Sequence, residues 1–320
     1  MKTRISSILG GIGLLAVVAA GPASAADKTI GFSMPDLASS FWISVTYGVE
    51  EQAKAAGAQV VKVNAGGDAN ASQQIAQIQD LIQKKVDAIV IGATNGDALK
   101  AVVEQAAAAG IPVIGVSSPP NSDKLVAIVS ADHYDMGKLQ AECLAAAMGG
   151  KGRVAMMAGP SGQAWSDLRA KGFRETLAKV APDVKIVAES RLADNRNAAL
   201  TTAEDWIQRF PDLSGIYSAT DDMGAGVITA LKSADKLGAV KVSASNLSPT
   251  AQRLIKDGEL ACTSIQQIVA QGRAAVDQAI AAADGAKVEK SVVTPALLVT
   301  KNNIDTVDLG SVVAPAGYRP

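Results

Sequence analysis

From residue 29 onward, short β-branched or wholly apolar runs alternate with longer amphipathic, Ala-rich stretches, and the alternation predicts an α/β fold. Strands are expected at 29–33, 59–63, 88–91 and 112–116, with helices at 41–56, 72–83 and 98–109 between them. Gly57 and Gly110 close the first and third of these helices, where glycine readily takes the left-handed conformation that ends a helix. The pattern then restarts. Strands are expected at 127–129, 153–158, 185–189, 215–217, 240–244 and 261–265, with helices at 134–148, 165–180, 198–209, 224–233, 250–256 and 269–283. An extended segment at 292–299 runs around Pro295, and the polar tail 302–320 is expected to lie along the surface. Uncharged strands such as 88–91 imply parallel sheets covered by helices on both faces. No low-complexity linker divides the two series, so the chain is expected to cross between two α/β lobes more than once.

The first 26 residues break this pattern. Lys2 and Arg4 give a basic start, and residues 8–20 form an uncharged run of 13 residues. Pro22 and then Ala23-Ser24-Ala25 follow, as at a signal-peptidase site. The run is short of the roughly 20 residues that span a bilayer as a helix. A cleaved secretory signal peptide (1–25) and a soluble protein of the bacterial periplasm are expected, without a lipid anchor.

Cleavage leaves 295 residues, enough for two domains. It also takes the formal charge from −1 to −3, and a mildly acidic chain has no basic stripe for nucleic acid or anionic lipid. Hydrophobic residues make up 48% of the sequence but aromatics only 3%, so rings placed in loops carry information. His133 is the single histidine, which argues against zinc or copper, and no cofactor is expected. The periplasm permits a bond between Cys143 and Cys262, but two buried free thiols are the expected state.

In open parallel sheets ligands bind beyond the carboxyl ends of the strands. The loops there are rich in Asn, Asp, Ser and Thr, and about half of these residues are assigned to turns and helix caps. Phe41 and Trp42 follow Ser39 and Ser40 at the first strand-to-helix turn, and Trp165 occupies the matching turn of the second series. Flat rings on both sides of a cleft pack on the C–H faces of a sugar or polyol, while polar neighbours take its hydroxyls. Asp167, Asp194, Asp221, Asp222 and Asn246 come from the later loops or helix starts. They suit hydroxyl groups or an ammonium group, and equally serve as N-caps and solvated acids.

Two apparent motifs carry less. Gly11-Ile12-Gly13-Leu14-Leu15-Ala16 imitates a dinucleotide fingerprint inside the signal segment. Gly159-Pro160-Ser161-Gly162 stands between a strand and a helix but lacks Gly-x-Ser-x-Gly spacing. A hydrolase pairing Ser161 with His133 is therefore a minor alternative, and no Walker sequence is present.

The stretches IGFSMPDLASSFWISVTYGVEEQAKAAG, QDLIQKKVDAIVI, AAAAGIPVI, LRAKGFRETLAK, GIYSATDDMGAGVITALKSA and LIKDGELACTSIQQ, in this order and spacing, resemble the ribose-binding-protein-like family. These are periplasmic solute-binding proteins of ABC transporters with the type I fold, and the resemblance covers nearly all of the mature chain. It implies two Rossmann-like lobes with parallel sheets joined by three hinge strands, near Ser130, Gln266 and 295–297. The implied N-terminal lobe is 26–130 plus 267–295; the C-terminal lobe is 131–266 plus 296–320. Carried over residue by residue, the resemblance implies ligand contacts at Ser39, Phe41 and Trp42. It adds Ser117 and Ser118, which stand where many pentose and hexose binders have Asp-Arg. Asp167 falls where such binders often have an Arg, and Asp194 or Asn195 near another family aromatic. Thr220, Asp221, Asn246 and Gln266 match the remaining polar positions, and Trp165 joins them as the second-lobe ring. The scaffold is retained while the polar key differs, which shifts the expectation from ribose or galactose toward a polyol, an unusual sugar or even a cationic solute. The expected function is non-enzymatic: a monomer captures a small polar ligand by lobe closure and delivers it to an inner-membrane ABC permease. A sensing module that docks on a sensor kinase or chemoreceptor is the alternative.

Overall fold

The computed structural model describes residues 28–320. The signal peptide expected at 1–25 lies outside the described residues. Two six-stranded sheets of matching topology form the frame. The first contains β1 (Thr29–Met34), β2 (Gln59–Asn64), β3 (Ala88–Ile91), β4 (Val113–Val116), β5 (Ala127–Ala131) and β11 (Ser291–Thr294), in the order β11-β5-β4-β3-β1-β2. The second contains β6 (Lys151–Met157), β7 (Asp183–Ser190), β8 (Leu213–Ser218), β9 (Lys241–Ser245), β10 (Cys262–Ile265) and β12 (Leu297–Val299), in the order β12-β10-β9-β8-β6-β7. The first sheet is wholly parallel. The second is parallel except for edge strand β12, which runs antiparallel to β10.

The helices are α1 (Ser40–Ala56), α2 (Ala71–Gln83), α3 (Lys100–Ala108), α4 (His133–Ala147), α5 (Ala164–Val180), α6 (Arg196–Arg209), α7 (Asp221–Ser233), α8 (Pro249–Lys256), α9 (Ile268–Ala283) and the short α10 (Leu309–Val312). They cover both faces of each sheet, so central strands such as β3 and β4 are buried at every residue. Ser39 caps the start of α1, and Gly57 ends it in the left-handed conformation.

The chain crosses between the sheets three times: between β5 and α4, between β10 and α9, and between β11 and β12. Helix α9 returns to pack on the first sheet beside α1, while α4 packs on the second beside α5. Each pair touches backbone to backbone. A Cβ on Gly48 of α1 would run into the carbonyl of Val269, and one on Gly137 of α4 into that of Arg169. Gly272 and Gly172 make the reciprocal contacts.

Two features differ from the sequence reading. Cys143 on α4 and Cys262 on β10 form a disulfide across a separation of 119 residues, with Cα atoms 6.6 Å apart. The expectation of two free thiols is corrected. Helix α4 lies directly on β10, which brings the two Cα atoms within bonding reach. The tail is also more than a surface strand: Ile304 and Val312 are buried in the second core cluster. It then reaches the first lobe, where Ala314 N donates to Ser44 Oγ at 3.1 Å and the Tyr318 hydroxyl donates to Glu50 at 2.5 Å.

Candidate functional site

The carboxyl ends of both sheets open on one cleft, which encloses about 780 Å³ including the solvent at its mouth. Its first wall starts at the loop after β1. Asp36 holds this loop by accepting from Ala38 N at 2.8 Å and Ser39 N at 2.7 Å. Ser39 in turn caps α1, so Phe41 and Trp42 stand on the first helical turn, edge to face with centroids 5.1 Å apart. Trp42 is 7% exposed and lies against Gly92, where any side chain would occupy the place of its ring. It is a core residue that shows an edge to the cleft. Ser117 and Ser118 follow β4, Ser117 with φ +58°.

The second wall repeats the plan with different chemistry. Trp165 and Arg169 stand one turn apart on α5, the guanidinium 5.2 Å from the ring centroid. Arg169 is 2% exposed; its Nη1 donates to Ala219 O at 2.8 Å, and its Nε has no partner among the described residues. Thr220 caps α7 and donates to Asp194 at 2.5 Å. Asn246 follows β9 with φ +73°, the counterpart of Ser117 in the first lobe.

The two walls are connected. Gln163 Nε2 donates to Thr94 O at 3.2 Å, and Ser118 Oγ donates to Gln163 Oε1 at 3.4 Å. Behind the cleft a buried chain of hydrogen bonds runs through the crossings. Ser117 Oγ donates to Gln271 Oε1 (2.6 Å), Gln271 Nε2 to Gln266 Oε1 (3.0 Å), and Gln266 Nε2 to Asn246 Oδ1 (2.9 Å). Gln271 Nε2 also reaches Thr294 at the third crossing (3.0 Å). Strand ends of both sheets are thereby tied through a single glutamine.

The electrostatics are dominated by burial. His133, at the start of α4, is 6% exposed; the Ser117 backbone lies beside its ring, and neither ring nitrogen makes a well-formed hydrogen bond. Burial, then the Arg169 charge, push its pKa down to about 3, so the ring is neutral. Burial lowers Arg169 to about 10, and it remains charged. On the acidic side, burial and the neighbouring acids raise Asp194 to about 7, against the hydrogen bond from Thr220. Asp194 still faces the solvent of the cleft, which screens its charge. Asp68, also exposed on the cleft wall, is raised by desolvation and by Asp36.

The model of the periplasmic binding protein domain matches residues 30–287. The chain belongs to the periplasmic binding protein family. It is 30% identical to the ribose import binding protein of Bacillus subtilis, over 88% of this chain and 91% of that protein. It is 32% identical to the xylitol-binding protein of Mycolicibacterium smegmatis, over 92% and 84%. Among solved structures, an ABC transporter periplasmic solute binding protein from Actinobacillus succinogenes with bound D-allose is 27% identical, with a TM-score of 0.84 over 88% of this chain and all of that one. Members of this family bind solutes rather than transform them.

In this periplasmic binding protein the cleft brings together Ser39, Phe41, Trp42, Ser117 and Ser118 from the first wall. Trp165, Asp194, Thr220, Asn246 and Gln266 join them from the second wall and a crossing. Three expected contacts are not among its lining residues. Asp167 turns outward, pairs with Arg191 at 2.8 Å and accepts from Gly162 N. Asn195 is exposed and caps α6 through Ala198 N. Asp221 is buried behind the wall, accepting from Ser248 N at 2.7 Å.

Sequence reasoning missed Asp36, Asp68, His133, Gln163 and Arg169 as lining residues, and it named Asp222 as a candidate without carrying it into the contact set. Arg169 had a readable signal. It shares one helical face with Trp165 and Phe173 at intervals of four, so it belongs to the inward stripe, while Asp167 lies about 200° away around the helix. Ser161, the nucleophile of the minor hydrolase reading, is exposed and outside the lining set.

Proposed function

We propose that this protein is the substrate-binding component of an ABC import system and captures a small sugar or polyol between its lobes. The observation that carries the reading is the cleft itself. Phe41, Trp42 and Trp165 offer flat apolar surface from both walls, and Ser117, Arg169, Asp194, Asn246 and Gln266 supply donors and acceptors between them. Rings pack on C–H faces and charged groups bond hydroxyls at roughly 1.5–3 kcal/mol each. The relatives that bind ribose, xylitol and allose support the same class.

The lobes are taken as 26–130 plus 267–295 and 131–266 plus 296–320, closing about the three crossings. A ligand that touches both walls binds the closed form better and shifts the population toward it. Ser39, Phe41, Trp42, Ser117, Ser118, Trp165, Asp194, Thr220, Asn246 and Gln266 are the direct contacts. Asp167, Asn195 and Asp221 shape the loops that carry them. The signal segment and the family support a monomer working in the periplasm that delivers ligand to an inner-membrane permease. A melting-temperature screen across sugars and polyols tests the reading. Ligand at 100 times its Kd adds about 2.7 kcal/mol of stability. Failure of every sugar and polyol to bind would refute it.

A further inference from the structure

Four carboxylates line the cleft: Asp36 and Asp68 from the first lobe, Asp194 and Asp222 from the second. Two of them are already engaged. Asp36 accepts two backbone N–H groups, and Asp222 pairs with Arg196 at 2.8 Å. Asp68 and Asp194 differ. Among the described residues neither has a cation within ion-pair distance, Asp68 has no hydrogen bond, and Asp194 has only the one from Thr220. They follow the equivalent edge strands β2 and β7 and line opposite walls of the one cleft. Closing the cleft therefore brings two like charges together in a confined space, an arrangement that a bound positive charge would relieve.

A second observation points to the rest of the ligand. His133 and the Nε of Arg169 line the same cavity and are more than nine-tenths buried; the Arg169 Nε has no hydrogen-bond partner among the described residues, and His133 has only the Ser117 backbone beside it. Unpaired polar groups at such depth are costly unless a ligand satisfies them. A neutral imidazole and a guanidinium N–H suit hydroxyl groups, which both donate and accept. His133 lies toward the end of the cleft shared with Ser117, Ser118 and Gln163, while Asp194 and Asp222 lie toward the opposite end, beside Ser248. The cavity thus has hydroxyl-binding groups toward one end and, toward the other, Asp194 without an ion-pair partner beside the Arg196-paired Asp222. No set of three His, Cys, Asp or Glu side chains among the described residues is grouped to hold a metal ion, which favours an organic cation.

We propose that the ligand is a polyhydroxylated amine, an amino sugar or amino polyol, whose ammonium group bridges Asp68 and Asp194 across the closing cleft. This rests on the solute-binding reading above and narrows its ligand class. The ammonium group would donate to carboxylates of both lobes at once, so the charge itself would couple binding to closure. The other charged groups facing the pair are Asp36, Asp221, Asp222, Arg169 and Arg196, and their sum with the pair is negative. Both carboxylates titrate upward of an ordinary aspartate, so the preference for a cation should be larger at pH 7.5 than at pH 5.

The test is calorimetric titration of the intact protein at pH 7.5 and low salt with matched pairs: D-glucosamine and D-glucose, glucamine and sorbitol, an aminodeoxyinositol and myo-inositol. The expected result is at least one amine binding tenfold or more tighter than its hydroxyl partner. That preference should be lost in Asp68→Asn, whose side chain is exposed and whose fold should be unaffected, and in Asp194→Asn. Hydroxyl compounds binding as tightly as their amines in every pair that binds would overturn the amine assignment and leave the sugar and polyol reading standing. Binding by none of the pairs, nor by any member of the wider sugar and polyol panel, would overturn both.

Discussion

The two lobes share strand order, crossing pattern and a glycine-mediated helix pair, yet they meet the cleft with opposite chemistry. Phe41 and Trp165 stand at equivalent turns, seven residues before the equivalent glycines Gly48 and Gly172. Three residues before those glycines the first lobe has Val45 and the second has Arg169, both buried. Ser117 and Asn246 end the equivalent strands β4 and β9, both with positive φ. The first wall is aromatic and mostly uncharged, with Asp36 and Asp68 at its loops; the second carries Arg169, Asp194 and Asp222. A duplicated scaffold keeps its geometry through backbone contacts and buried strands, and it is free to diversify at strand ends. The lesson is that ligand class is written in the differences between the halves.

The largest difference to break is covalent. The second lobe contains the Cys143–Cys262 bond, and the first has no counterpart among the described residues. Replacing both cysteines with serine should cost about 2–5 kcal/mol of stability. Hydrogen exchange should place the loss in α4, β9 and β10, with the first sheet unchanged. Equal loss of protection in both lobes would mean that they unfold as one unit.

Next comes the charge on the second wall. Arg169→Gln removes a charged hydrogen-bonding group worth roughly 1.5–3 kcal/mol. Affinity for the ligand found in the screen should fall about 10- to 100-fold, at about 1.4 kcal/mol per decade. Phe41→Ala on the first wall should cost less, roughly 0.5–1.5 kcal/mol beyond its lost area. Titration calorimetry on both variants decides the order. A larger loss from Phe41→Ala would transfer the main recognition to the first lobe.

The shared geometry is tested by its glycines. Gly48→Ala and Gly172→Ala each push a Cβ into a facing backbone carbonyl, and each should cost about 1–3 kcal/mol. Denaturant melts should give similar losses. If one substitution is harmless, the helix pairs are not equivalent.

Much of the fold was legible because burial on both faces leaves a plain mark. Strands β3 and β4 are uncharged runs, and Gly57 and Gly110 mark helix ends. The strand β12 was harder to read. Pro295 and one further residue, Ala296, suffice to turn the chain from parallel β11 into an antiparallel edge of the other sheet, and direction has no local signal. Most of the candidate site followed from one rule, that loops after parallel strands carry the ligand. Arg169 escaped because it lies one turn inside a helix rather than on a loop. Asp68 escaped because a lone acid in the run Gly66-Gly67-Asp68-Ala69-Asn70 looks like any solvated turn residue until the opposite lobe faces it. The disulfide could not be read from spacing across 119 residues, since only the packing of α4 on β10 brings the thiols together.

The last prediction concerns pH, and it sets the second lobe's acids against the buried histidine at its entrance. The His133 pKa falls from 6.5 to about 3 on folding, so between those values the folded protein holds fewer protons than the unfolded chain. The stability associated with its neutral ring is complete above pH 6.5 and is lost as pH falls toward 3. Asp221 moves the other way, from 3.8 to about 6, chiefly through burial. Its folded form holds extra protons in that window, so its contribution is greatest at low pH and declines as pH rises from 3.8 to 6. The two slopes oppose each other between pH 4 and 6, and Asp68 and Asp194, also raised, slope in the same direction as Asp221. His133→Gln removes one slope and leaves the acids in control. Relative to wild type, the variant should gain up to about 2 kcal/mol between pH 7.5 and pH 5, at about 1.36 kcal/mol for each pH unit below 6.5. Relative to wild type, Asp221→Asn should tilt the profile the opposite way, losing stability on acidification. Denaturant melts at pH 5 and 7.5 on the three proteins measure both tilts. Parallel profiles would mean that neither group differs in proton affinity between the folded and unfolded chain, and that the polarity between His133 and the second-lobe acids is weaker than their burial implies.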